Sequence, residues 1–436
     1  MQQSEALEIL KLGQNVFLTG EAGTGKTFVL SSYIKHLKTK HIPIAVTAST
    51  GIAATHLDGV TIDSWSGLGI RDTLTENEIK ELGHKFHLKK RVSSAKILII
   101  DEVSMIEGRR FDAINNIVQY LRQNKEPFGG MQIVLSGDFF QLPPVTKNRE
   151  QIDFIFNSHV WNELNLSVCY LSEPRRHTDS KLITLLSAIR HDRVDVTVRQ
   201  TLANAMQKPT ITKITPTKLY THNVDVDTIN QQELDRINAQ LHIHHMTAVG
   251  PDKVIEAMKR SCLAPAELQL KKGALVMFVR NNYEKGYVNG TLGKVVGFTG
   301  SDFPIIETAS RTRITALPAE WTIMEDDKIV AQIRQIPLRL AWAITIHKSQ
   351  GMTLDAAEID LSKSFIEGMG YVALSRIRSL SGLKLLGLNE LALKVNPKIH
   401  AVDNELLKMS ADSSNRLMHM GRFNRWMDKR RFVYKL

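Results

Sequence analysis

The sequence predicts an α/β protein built on parallel sheets, and three observations carry that expectation. Short apolar segments alternate with segments whose apolar residues recur at helical spacing. A glycine-rich loop, Gly20-Glu21-Ala22-Gly23-Thr24-Gly25-Lys26-Thr27, stands between the first apolar segment and the first long helical one. The alternation also stops near residue 241, gives way to short strands punctuated by glycine, and resumes near 338.

Taken in order, residues 1–14 read as a short amphipathic helix, and Asn15 to Thr19 as a buried strand. The loop that follows fits G-x-x-x-x-G-K-[ST], with a helix after it through Phe28, Leu30, Tyr33 and Leu37. Glycines turn backbone N–H groups toward phosphates, and the helix amino terminus adds a favourable dipole. Lys26 would reach the β- and γ-phosphates and the Thr27 hydroxyl would hold Mg²⁺. Ile42 to Val46 is a second strand, and Thr47 to Gly51 breaks at its carboxyl end, where open α/β sheets bind ligands. In the polar stretch from Gly59 to Gly69, Trp65 could stack on a nucleobase or plug a small local core.

Lys96 to Glu102 places four apolar residues before two carboxylates. Asp101 would share the Mg²⁺ with Thr27, and Glu102 would orient and deprotonate the attacking water. A helix through Phe111, Ile114, Val118 and Leu121 comes next, then a strand at Met131 to Ser136 opening onto Gly137 to Val145. There Gln141, a neutral amide, can touch both γ-phosphate and water. Phe154 to Leu164 promises a second apolar cluster, and Leu182 to Ile189 a helix. From Ile214 a strand leads to a helix through Leu234; the β-rich stretch then reads as a small barrel or open sheet inserted into a second α/β domain. After it, Ile346 to Met352 reads as a short helix presenting His347, Lys348, Ser349 and Gln350 before Gly351. Tyr371 to Arg376 begins as an apolar helix and ends in an arginine. The tail from Arg416 to Lys435 is basic with interleaved aromatics; it docks as a helix or touches nucleic acid, docking being favoured.

The totals bound the function. A formal charge of +11 over 436 residues points to a polyanionic partner, of which nucleic acid is the commonest. Two distant cysteines, Cys169 and Cys262, argue against a disulfide framework or a zinc site and suit a reducing compartment. The amino terminus lacks a signal peptide's pattern and no apolar run approaches a membrane span. A soluble, intracellular protein is expected.

Residues 20–27, 47–54, 101–105, 136–145, 345–355 and 371–378 resemble, in order, the motifs of superfamily-one DNA helicases. Gly129-Gly130-Met131-Gln132 and Gly137 to Pro144 are similar to the signature of the Pif-type (petite integration frequency) family. The resemblance runs from Gln3 to about Leu386. It implies two RecA-like domains with ATP and Mg²⁺ between them: 1A at 1–59 and 76–165, 2A at 166–240 and 338–398. It further implies a wedge, 1B, at 60–75, and an SH3-like barrel, 2B, at 241–337; residues 399–436 remain as a helical basic tail.

By the same resemblance Gln3 reads adenine, and Gly20, Ala22, Gly23, Thr24, Gly25, Lys26, Thr27, Asp101 and Gly351 bind nucleotide. Arg176 and Arg376 act as arginine fingers, Gln141 couples hydrolysis to closure, and Thr50, Trp65, His347 and Lys348 contact DNA. The implied activity is ATP-driven 5′-to-3′ movement on single-stranded DNA. It includes opening of duplexes, single-strand/duplex junctions and G-quadruplex DNA, in replication, repair, recombination or telomere maintenance, by a monomer or a dimer on DNA. Two departures stand out. Pro174-Arg175-Arg176-His177 occupies the place of the usual Phe-Arg-Gln, leaving Arg175 and Arg176 as alternatives, and Asp63 stands where a histidine is common. Alternatives to unwinding are a DNA-dependent translocase and an ATP-switched single-strand-binding module.

Overall fold

The computed structural model describes residues 1–435 except 70, 145–151, 174, 176–178, 208–215, 283, 288, 309–310 and 326–327. They divide into two compact units, one of residues 1–178 and 395–436, the other of residues 179–394.

The first unit is organised by a six-stranded parallel sheet. Its strands are β1 (Val16–Gly20), β2 (Ile44–Ala48), β3 (Val60–Thr61), β4 (Ile97–Asp101), β5 (Gln132–Ser136) and β6 (Ser167–Leu171), in the order β3-β2-β4-β5-β1-β6. Every residue of β1, β4, β5 and β6 is buried, which is why these segments read as unbroken apolar runs rather than alternating ones. Helices α1 (Gln3–Lys11) and α2 (Lys26–Thr39) share one core with the sheet, in which Leu10, Val16, Leu30, Tyr33, Ile99 and Val134 meet. The apolar residues expected to cluster at 154–164 gather around Phe17 of β1, outside the core shared with α1 and α2: the Trp161 ring lies 5.1 Å from Phe17 and 6.0 Å from Phe139.

Arg122, the last residue of the helix Gly108–Arg122, ties three segments together. Its guanidinium donates to the carbonyls of Val92, Ser93 and Ala95 at 2.7–3.1 Å and to Gly129 at 2.9 Å. Burial holds its pKa below the usual arginine value. The long helix Pro397–His419 lies along the edge strand β6. Ser410 Oγ accepts from the Tyr170 backbone N–H, a donor that an edge strand leaves unpaired. The Tyr170 hydroxyl donates to Asp403 at 3.0 Å. The C-terminal helix Arg422–Lys435 packs against α1: Lys429 pairs with Glu8, and the Phe432 ring fills the space where a Cβ on Gly13 would sit. The tail therefore docks as a helix.

The second unit carries a four-stranded parallel sheet, with β7 (Thr217–Tyr220) between Ala343–Thr345 and Ala357–Leu361, and Leu383–Leu388 at the edge. Between β7 and Ala343 the chain forms antiparallel sheets of two, three and five strands. None closes on itself among the described residues. Leu338–Leu340 pairs antiparallel with Leu275–Phe278, so it belongs to the inserted sheets, and the parallel sheet resumes only at Ala343. Thus the return to α/β structure falls a few residues later than the apolar pattern alone indicates.

Replacing Arg122 by alanine strips four carbonyls of a shared donor and should lower the thermal midpoint by roughly 4–8 °C. Arg122→Lys, which lacks the fork, should recover only part of that. A midpoint unchanged in both variants contradicts the tie ascribed to this side chain.

Candidate nucleotide site and nucleic-acid interface

The glycine loop leaves β1 at Gly20 and ends at Gly25, which precedes α2 with φ +90°. That left-handed backbone suits glycine, and there is no space for a side chain either: a Cβ would lie 2.1 Å from Gln3 Nε2. Gln3 Nε2 donates to the Thr24 carbonyl at 2.9 Å, so α1 presents its first residue onto the loop. Thr24 is buried, its hydroxyl donating to the Glu21 carbonyl at 2.9 Å. Ala22 is also buried, whereas Thr27, in the first turn of α2, is exposed. Lys26 Nζ donates to the carbonyls of Gly20 at 2.7 Å and Glu21 at 3.1 Å. Beyond β6, the Arg175 N–H donates to the Gly23 carbonyl at 2.9 Å, lacing the following segment onto the loop. Arg176, the expected finger, lies outside the described residues.

Parallel register brings the other candidates to the same sheet edge. Asp101 closes β4; its backbone carbonyl accepts from Ser49 N–H at 3.1 Å and its carboxylate from Glu102 N–H at 2.9 Å. Burial pushes the Asp101 carboxyl above its ordinary value, against the opposing pull of the Ser136 hydroxyl, the Glu102 N–H and the Lys26 charge. A buried carboxylate beside a lysine and a helix amino terminus is suited to sharing a divalent cation with Thr27. Glu102 is half-buried and adopts φ +53°, a left-handed conformation costly for a side-chain-bearing residue and often found at functional positions.

After β5, Gly137 N–H donates to the Leu18 carbonyl, joining the next loop to β1. Asp138 is wholly buried and organises that loop: it accepts from Phe140 N–H at 3.2 Å and from Gln141 Nε2 at 3.4 Å. Gln141 is 5 % exposed, and its Oε1 is buried with no hydrogen-bond partner among the described residues. An acceptor left unsatisfied at a sheet edge lined by Lys26 and Asp101 fits the amide that should meet a nucleophilic water. Asp138 was not singled out in the sequence, although its place between the strand and Gln141 is the available signal.

Two expected nucleic-acid contacts on the first unit part ways. Thr50 is half-buried and caps helix α3 (Gly51–His56): its hydroxyl accepts from Ala53 N–H at 3.2 Å. Trp65, in helix α4 (Ile62–Ser66), is 3 % exposed and takes the local-core role, so its face is not available to a base. Arg91 Nη2 fixes it by donating to the Ser64 and Trp65 carbonyls, each at 2.9 Å. Asp63 pairs with Arg110 at 2.7 Å, and Arg110 also donates to the Gly69 and Arg71 carbonyls. The acid is thus neutralised from the helix Gly108–Arg122 and pins its loop. Burial raises the Asp63 carboxyl, with Arg110 opposing.

In the second unit, residues 346–350 form consecutive turns rather than a helix, closed by Gly351 at φ +81°. Ser349 N–H is shared between the Thr345 and Ile346 carbonyls, which tightens the turn before a helix can propagate. His347 stacks on Phe365 at 6.1 Å; burial, then neighbouring His222, holds its imidazole below the ordinary value. Burial, then the Arg339 charge, lowers the Lys348 ammonium, with Asp227 opposing. The added positive charge of Arg339, a residue the sequence does not single out, favours an anion such as a phosphate near Lys348. Arg376 is 1 % exposed, with Nε donating to the Val372 carbonyl at 2.9 Å and Nη2 to Ser375 Oγ at 2.7 Å. Its guanidinium lies against the carboxyl end of its own helix, Met369–Leu374, so a finger role requires those bonds to exchange for a phosphate.

Because burial raises the Asp101 pKa, ionising it costs stability at neutral pH, and the cost disappears when the carboxyl is protonated in folded and unfolded chains alike. Asp101→Asn should therefore raise the thermal midpoint at pH 7 by roughly 2–4 °C. The gain should shrink as pH falls below the ordinary carboxylate range. A gain that grows toward acid pH contradicts the sign.

The chain is similar to known proteins over most of its length. The family model for PIF1-like helicases matches residues 3–193, and that for the DNA helicase Pif1 2B domain matches residues 253–298. The "ATP-dependent DNA helicase Pif1" of Psychrobacter sp. is 42 % identical over 95 % of this chain, which spans 72 % of that relative. The Xenopus laevis "ATP-dependent DNA helicase PIF1" is 37 % identical over 94 % of the chain, which spans 65 % of its length. The crystal structure of Pif1 helicase from Candida albicans superposes with a TM-score of 0.80 at 33 % identity, covering 93 % of this chain and 98 % of that one. Bacteroides Pif1 in complex with ADP-AlF3 and ssDNA gives a TM-score of 0.65 at 28 % identity, covering 94 % and 97 %. With this identity sustained over nearly its whole length, the chain belongs to the PIF1-like helicase family.

Proposed function

We propose that this chain hydrolyses ATP to move 5′ to 3′ along single-stranded DNA and to open duplexes, forks and G-quadruplexes. Membership of the family makes it an ATP-dependent DNA helicase; polarity, G-quadruplex action, Mg²⁺ and the roles of single residues are our reading. The observation that carries it is the convergence of Lys26, Asp101, Glu102 and the unsatisfied Gln141 amide on one parallel-sheet edge.

In this reading residues 1–59 and 76–165 form RecA-like domain 1A, and residues 166–240 and 338–398 form 2A, with 60–75 and 241–337 as the inserted wedge and the SH3-like subdomain. Gln3 selects adenine, and the loop N–H groups with Lys26 cradle the phosphates. Thr27 and Asp101 would hold Mg²⁺, which would supply charge neutralisation for the phosphates. Glu102 takes the proton of the attacking water while Gln141 Oε1 orients it. Arg376, together with Arg176 or Arg175, offsets charge developing on the γ-phosphate, and Gly351 lets the backbone approach the nucleotide. Thr50, His347 and Lys348 contact the strand. The single-strand-bound and ADP-AlF3-bound state of the Bacteroides relative supports both ligands. No helix among the described residues is long and apolar enough to cross a membrane.

Lys26→Ala should abolish DNA-stimulated ATP hydrolysis while single-strand binding persists; retained stimulation in that variant sinks the assignment. Arg376→Ala should slow hydrolysis by roughly 10³–10⁵-fold with little change in ATP affinity. A loss confined to thermal stability instead marks Arg376 as purely structural. On tailed duplexes, single-turnover unwinding should begin from the 5′ tail alone. Unwinding only from a 3′ tail reverses the polarity, and hydrolysis with no unwinding of either substrate identifies a translocase.

A further inference from the structure

The C-terminal helix Arg422–Lys435 has two faces with different fates. One is fixed to the first unit: Arg425 Nε donates to the Met420 carbonyl at 2.7 Å at the end of the preceding helix, Lys429 pairs with Glu8, and Phe432 and Val433 join the sheet's core. The other carries Phe423 at 70 % and Trp426 at 50 % exposure, with ring centroids 6.1 Å apart and planes 30° from parallel. The Arg430 guanidinium lies 4.8 Å from the Trp426 centroid, and the Arg431 side chain is 70 % exposed. Residues 423, 426 and 430 fall on one helical stripe. The helix holds six basic residues against one acid, Asp428.

Single exposed aromatics are ordinary, but two stacked, exposed rings form a contiguous patch of the kind that marks an interaction surface. The surrounding charge selects the cover. A hydrophobic protein partner has no use for so many cations, whereas single-stranded nucleic acid presents phosphates to the arginines and flat bases to the rings. We propose that this helix is a second single-stranded DNA platform, outside the helicase motifs, on which bases stack against Phe423 and Trp426 while Arg430 and Arg431 meet the phosphates. Its anchoring through Glu8, Gly13 and Arg425 holds the platform on the same rigid body as α1 and the nucleotide loop. The proposal rests on DNA being the chain's substrate.

The test uses the full chain and a fluorescein-labelled oligothymidine long enough to extend past the motor, read by anisotropy at several salt concentrations. Phe423→Ala with Trp426→Ala should weaken binding about tenfold while leaving the thermal midpoint unchanged, since both rings are exposed. Trp426→Phe, which keeps a flat face, should restore most of that loss relative to Trp426→Ala. Arg430→Gln with Arg431→Gln should flatten the slope of log affinity against log salt by about 1.4, at ~0.7 per phosphate contact on a single strand. Wild-type affinity and slope in all variants overturn the platform and leave these aromatics to an acidic protein partner. Failure of the wild-type chain to bind any single strand would instead remove the helicase reading itself, so the two failures are told apart.

Discussion

The constraint on which the first unit depends is the junction between β1 and α2, where backbone must pass from a fully buried strand into a helix through a loop with almost no side-chain volume. Gly25 adopts a left-handed backbone with Gln3 filling the space above it, and Lys26 folds back onto the carbonyls of Gly20 and Glu21. Because β1, β4 and β5 are parallel neighbours buried on both faces, their carboxyl ends open on one edge. Asp101, Glu102 and the Asp138–Gln141 loop are delivered there without any further instruction. The site's electrostatics follow from the same burial: the apolar strands that align Asp101 also raise its pKa, so its charge is most comfortable with a cation beside it.

Beyond that edge the structure spends arginines on holding loops. Arg122 gathers carbonyls from 92–95 and 129, Arg91 fixes Ser64 and Trp65, and Arg110 binds Asp63 and the backbone of 69 and 71. A planar fork with five donors suits segments whose own carbonyls lack helix or sheet partners. Part of the basic composition is therefore structural. The net charge overstates the number of cations available to DNA, and the exposed arginines of the C-terminal helix stand out against that background.

The sequence was most legible where chemistry needs contiguous residues. The loop from Gly20 to Thr27, the pair Asp101-Glu102 and the segment around Gln141 each announce themselves, because a strand, a turn and a functional side chain must follow one another in fixed order. It was least legible where a side chain has two compatible fates. Trp65 on a polar loop could stack or fill, and only the placement of Arg91 and the local core buries it. The run from Ile346 to Gln350 has helical residue types, yet a shared Ser349 N–H and left-handed Gly351 leave only turns.

By itself, then, the sequence determined the parallel α/β class, the phosphate loop and its carboxylates. These depend on local periodicity and on motifs a few residues long. Tertiary structure alone decided that Asp138 organises the Gln141 loop, that Asp63 is neutralised by Arg110, that the Arg339 charge acts on Lys348, and that Arg376 is buried against its own helix. Each is a pairing or burial set by how separated segments pack, and neither residue type nor spacing along the chain encodes which partner will arrive.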